Sequence, residues 1–154
     1  MESMVSIARN SAERILGGAA FLFLEDVSPE ETPDMAVWTA LGMKLSYEGP
    51  VRGELRLWLE EGLAHTLAVN MLGLEDGETI PLARELDAAK EILNMVVGNF
   101  ITEAFGSEDV YHLGIPEVLD RSEIEESLAT PKHFWVDIEG KPALFSLHQE
   151  KEFP

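Results

Sequence analysis

Asp87, Glu91, Asn94 and Gly98 follow one another at intervals of four, three and four residues. At ~100° per residue in an α-helix they fall within an arc of about 60°. They therefore form one ridge: carboxylate, carboxylate, carboxamide, bare backbone. A carboxamide accepts and donates hydrogen bonds while staying neutral, and a carboxylate takes up a cation. The same pattern also describes a solvated helix face. Two residue types argue against that plainer reading. Asn is a mediocre helix former, and Gly in a helix interior costs roughly 1 kcal/mol relative to Ala, so local propensity favours neither at mid-helix. A glycine beside two polar groups lets another surface approach closely, and the ridge reads as a docking face.

The helix carrying this ridge is predicted from Leu82 to Phe105, closed by Gly106, with Leu82, Leu86, Ala89, Leu93, Val96, Val97 and Phe100 as its apolar stripe. Residues 3–17 predict a first helix ended by Gly17-Gly18. Ala19–Leu24 predicts a buried strand or extended segment, and the acidic, proline-bearing run Glu25–Asp34 a loop. Val37–Tyr47 and Val51–Leu59 alternate with period two across Glu48-Gly49-Pro50, the pattern of a β-hairpin. On one face they place Val37, Thr39, Leu41, Met43, Leu45 and Tyr47, and on its partner Val51, Gly53, Leu55, Leu57 and Leu59. Leu63–Leu72 reads as a short apolar helix. Val110–Leu113 reads as a strand piece, followed by a loop through Pro116, and Arg121–Leu128 as a helical turn or loop. Phe134-Val136-Ile138 and Ala143-Phe145-Leu147 form a second alternating pair joined by residues 139–142. Helices mixed with antiparallel hairpins, without regular βαβ alternation, predict an α+β fold: a sheet packed against helices in a single domain over residues 1–154.

The chain carries 29 acidic and 11 basic residues, a formal net charge of −18. That field repels a phosphate backbone and argues against nucleic-acid binding. It suits either a merely soluble surface or a partner with a basic patch. With no cysteine, disulfide and thiolate chemistry are excluded. No apolar run approaches the ~18 residues of a membrane span, and Glu2, Arg9, Glu13 and Arg14 interrupt any signal-peptide pattern. A cytoplasmic protein without membrane insertion is expected. His65, His112, His133 and His148 have no metal-binding spacing. There is no phosphate-binding glycine loop and no nucleophile elbow, and the acidic runs lack the form of a calcium loop. Trp38, Trp58 and Trp135 fall on the second faces of the predicted strands and suit core or sheet-covering roles.

Asp87-x-x-x-Glu91-x-x-Asn94, with Gly98 and then Pro116, resembles the signature of the CheC/CheX/FliY chemotaxis phosphatases. That signature is an aspartate or serine, then glutamate, then asparagine at these spacings, and a proline downstream. Here 21 residues separate Asn94 from Pro116, one fewer than the family's usual interval. The order of elements and the length extend the resemblance over nearly the whole chain. The family carries two related halves, and a faint repeat is present here. An offset of 77 residues matches Ala12 with Ala89 and Ile15-Leu16 with Ile92-Leu93. It also places Arg14 at the Glu91 position and Gly17 at the Asn94 position, where neither can serve. The resemblance thus implies two degenerate pseudo-repeats with one active site per chain, as in the CheX branch, and a homodimer formed through sheet edges.

The activity implied is hydrolysis of the aspartyl phosphate of a CheY-type response regulator in chemotaxis or two-component signalling. Glu91 and Asn94 would be the catalytic pair, with Asp87 and Gly98 in partner contact. The phosphatase would hold no cofactor of its own; Mg²⁺ would come with the phosphorylated partner. Asn94 would orient a water in line with phosphorus, and Glu91 would pair with the regulator's lysine. Two other readings stand beside this one: a non-catalytic module that docks on a response regulator or flagellar switch, and a dimerisation domain with no regulator partner.

Overall fold

A computed structural model describes residues 3–75 and 77–150. The chain runs through a first helix, α1 (Met4–Ala20), a short strand β1 (Leu24–Asp26), a hairpin of β2 (Ala40–Glu48) and β3 (Arg52–Glu60), then α2 (Leu63–Leu72) and α3 (Leu82–Phe105). It closes with β4 (His112–Leu113), β5 (Glu117–Leu119), α4 (Ile124–Ala129) and a second hairpin of β6 (His133–Ile138) and β7 (Lys141–Gln149). All seven strands join one antiparallel sheet in the order β1-β6-β7-β3-β2, with β4 and β5 both pairing along the outer edge of β2. The α+β architecture is as the alternation of hairpins and helices predicts.

Period-two patterning sorts the central strands into two faces. Met43, Leu45 and Tyr47 of β2 lie with Leu55, Leu57 and Leu59 of β3 and Ala143, Phe145 and Leu147 of β7. They form the main core with the inner faces of α1, α2 and α3. On the opposite face Trp38, Trp58 and Leu144 meet Leu119 and Ile124, with Trp135 partly buried against them. The tryptophans thus cover the sheet, as predicted. Gly42 faces Trp58 across the β2–β3 ladder, and a Cβ there would fall 2.3 Å from the indole ring, so the glycine makes room for the tryptophan. The β6–β7 turn needs only Glu139 and Gly140, both with positive φ. This is a two-residue hairpin connection of the kind that follows the twist of its strands.

The structure departs from the sequence reading at several places, among them β1 reaching Asp26, an unpredicted β5, and β7 beginning at Lys141 inside the expected connection 139–142. Gly17 and Gly18 do not end α1, which continues to Ala20 and turns at Phe21 in the left-handed region. The cause is tertiary. Ala20 is fully buried, and Asn70 of α2 donates from Nδ2 to the Ala20 carbonyl at 2.7 Å, satisfying a helix-end acceptor that would otherwise be orphaned. The segment that follows is extended, with Leu22 buried between exposed Phe21 and Phe23. β2 begins at Ala40 instead of Val37, and Val37 is exposed. Leu82, assigned to the apolar stripe, is also exposed; it lies in the first turn of α3, ahead of the helix's buried stretch, which begins at Ala88.

Candidate functional site

α3 keeps the predicted bounds, closed by Gly106, whose N–H donates to the Thr102 carbonyl at 3.0 Å. One side of it is sealed by Ala88, Ala89, Ile92, Leu93, Val96, Val97, Phe100 and Ile101. It packs against α1, α2 and β2, and His65 Nδ1 of α2 lies 2.9 Å from Glu85 Oε1. With so much of one face buried, the helix cannot rotate, and its opposite face is held outward.

Asp87, Glu91, Asn94 and Gly98 all lie on that outward face. Asp87 and Glu91 are exposed, while Asn94 and Gly98 are half-buried. No side-chain hydrogen bond or ion pair joins Asp87, Glu91 or Asn94 to another described residue. Glu91 and Asn94 are separated by about 4.5 Å of rise, so both can enter one groove of a partner. A Cβ built at Gly98 would meet nothing within 4 Å. The ridge is therefore an open surface bearing an unpaired carboxylate and an unpaired neutral amide on a fixed frame.

α1 packs beside α3 and shows what the other half of the repeat has become. Ala12 and Ala89, and Leu16 and Leu93, are equivalent in burial. Arg14, at the position matching Glu91, donates from Nη1 to Glu103 of α3 at 3.2 Å, so that face of α1 carries an ion pair between the helices. Pro116 lies in the connection between β4 and β5, on the β2 edge. Among the described residues, no three metal-ligating side chains converge, and no helix is long and apolar enough to cross a membrane.

Sequence reasoning missed a cavity of about 320 Å³ at the end of the ridge, lined by Gly98, Ile101, Thr102, Asp109, Tyr111 and Leu113 among others. The helical period carries the ridge from Gly98 on to Thr102, so that wall was legible. Asp109, Tyr111 and Leu113 arrive from the loop after α3 and from β4, which no local period positions.

A family model for the chemotaxis phosphatase CheX matches residues 42–139. No curated protein matches the chain by sequence. Among solved structures, a chain of the CheX–CheY–BeF3–Mg²⁺ complex from Borrelia burgdorferi is 13% identical, with a TM-score of 0.69 over 97% of this chain and 99% of that one. CheX from Vibrio vulnificus is 19% identical, with a TM-score of 0.68 over 97% of each chain. FliY from Thermotoga maritima is 18% identical, with a TM-score of 0.54 over 94% of this chain and 85% of that one. At such identities the structural likeness speaks for the fold, and the family model carries the relationship in sequence. With that model matching 98 residues of 154, the chain belongs to the CheX family of chemotaxis phosphatases.

Proposed function

We propose that this protein accelerates hydrolysis of the aspartyl phosphate on a CheY-type receiver domain, with Glu91 and Asn94 as the side chains that enter the phosphorylated pocket. The observation carrying this reading is the Glu91–Asn94 pair itself: outward on a well-packed helix, unpaired among the described residues, and flanked by the bare backbone of Gly98.

In the reaction, a water oxygen bonds to phosphorus, the bond between phosphorus and the aspartyl oxygen breaks, and the regulator recovers its carboxylate as inorganic phosphate leaves. The task left to the phosphatase is positioning. The Asn94 carbonyl oxygen accepts a hydrogen bond from the attacking water, and its NH₂ donates to a phosphoryl oxygen. The amide stays neutral beside dense negative charge, where a carboxylate would be repelled. Glu91, on the adjacent turn, meets a lysine of the partner and fixes the register of docking. Asp87 contacts the partner's rim one turn earlier. Mg²⁺ would come with the partner, a reading that the presence of Mg²⁺ and BeF3 in the Borrelia burgdorferi CheX–CheY complex supports. The protein works in the cytoplasm and pairs as a homodimer through a sheet edge.

The test is phosphate release with phosphorylated receiver domain in excess. Catalytic turnover by the wild type supports the proposal. Binding to the receiver without any change in phosphoryl lifetime would make the protein a docking module and end it.

A further inference from the structure

Gly98 stands inside a 24-residue helix, where glycine is costly and alanine favoured. Gly42 has an internal reason, yielding its space to Trp58, whereas a Cβ at Gly18 of α1 would meet nothing. Gly98 has none either, since its missing Cβ would meet nothing within 4 Å among the described residues beyond its own stretch of helix. What its absence does is open one wall of the cavity that continues the ridge. That space is open to a partner.

The walls describe that occupant. Ile101, the ring of Tyr111 and Leu113 make an apolar gutter. Tyr111 is a rigid wall: its ring stacks on Phe105 at 5.3 Å between centroids and lies 6.3 Å from Tyr47. Asp109 lies along the lining, exposed, with no hydrogen bond or ion pair to any described residue. Of the cations nearby, Arg14 pairs with Glu103 and Lys44 with Glu117. An apolar trough with an unpaired carboxylate matches a side chain that lays an aliphatic stem on apolar surface and keeps a cation at its tip. The net charge of −18 favours the same sign of partner.

We infer that this cavity receives a lysine or arginine side chain of the receiver domain, its stem against Ile101, Tyr111 and Leu113 and its charged head at Asp109. The inference rests on the reading of the ridge as the docking face, and it deepens that reading by naming a specificity contact outside the reacting centre. Gly98 lies one helical turn from Asn94, about 6 Å along the axis, so one partner surface spans both. A receiver lacking a basic residue at that place docks more weakly, while the hydrolytic step, which uses Glu91 and Asn94, proceeds unchanged once docking is complete.

The experiment titrates the protein with a CheY-type receiver domain activated by beryllofluoride and Mg²⁺, at low and high salt, and separately measures phosphoryl lifetime at saturating phosphatase. Asp109→Asn is expected to raise Kd about threefold to fivefold and to flatten its salt dependence. Leu113→Ser is expected to raise Kd about threefold, with the salt dependence kept. Both should leave the lifetime at saturation at the wild-type value. Unchanged Kd in both variants, or tighter binding by Asp109→Asn, overturns the inference. If the wild type binds without shortening the lifetime while the variants bind less well, the cavity assignment stands and the phosphatase reading falls. If no activated receiver binds the wild type, both fall.

Discussion

Glu91 and Asn94 stand three positions apart on the outward face of α3, and neither side chain is engaged by another described residue. Their full hydrogen-bonding capacity is thus available to a partner. Asn94→Ala should lower stimulated dephosphorylation on the order of 10²-fold, the usual cost of losing one positioned donor or acceptor at a reacting centre, with Kd for the activated receiver within about twofold of wild type. Glu91→Ala should weaken binding as well as turnover. Full turnover by Asn94→Ala would sink the mechanism.

Gly98→Ala offers a sharper separation of stability from function. The new methyl group meets nothing in the free protein, and helix propensity then predicts a gain of roughly 0.5–1 kcal/mol. The same methyl group stands where a partner must approach. The urea midpoint should rise while affinity for the activated receiver falls. A variant that is more stable and binds equally well would show that no partner needs that space.

A third outcome concerns the far face of the sheet. Trp58 Nε1 donates to Ser127 Oγ at 2.9 Å across a sequence separation of 69 residues, and both side chains are fully buried. Ser127→Ala should cost about 1–3 kcal/mol, because it leaves a buried N–H without an acceptor. α3 lies on the opposite face, so folded variant protein should retain wild-type turnover. Chemical denaturation and the phosphate-release assay read the two quantities independently.

His148 supplies a dependence on pH. Burial holds its pKa below the ordinary value of 6.5, and the charge of Arg56 pushes the same way, while Glu54 and Glu126 pull against it. The folded state thus binds the proton less readily than the unfolded chain. Above pH 6.5 the two states are alike in charge at this residue; as pH falls below it, the unfolded state takes up the proton first and stability is lost, until the folded imidazole protonates too. Denaturation midpoints taken from pH 7.5 down to 5 should fall less steeply for His148→Gln than for the wild type. Parallel curves would remove His148 as the cause.

The bounds of α3, its ridge and both hairpins were legible in the chain itself. Each depends on a local period, 3.6 or 2, punctuated by residues that stop it, such as Gly106 and Glu139-Gly140. Period alone reports which residues share a face. It does not report where the neighbours that bury that face begin and end. Leu82 and Val37 share a face with buried residues by period alone, yet both are exposed. α1 outlasts its glycine pair because Asn70, 50 residues away, satisfies the Ala20 carbonyl. The cavity beyond Gly98 is likewise a product of folding, since Asp109, Tyr111 and Leu113 reach it only once the sheet edge is laid beside α3. Residue types along one helix thus determined which groups could do the chemistry. Long-range packing alone decided that they face outward, unpaired among the described residues, beside an open cavity, because burial and pairing are properties of neighbours that the local sequence does not contain.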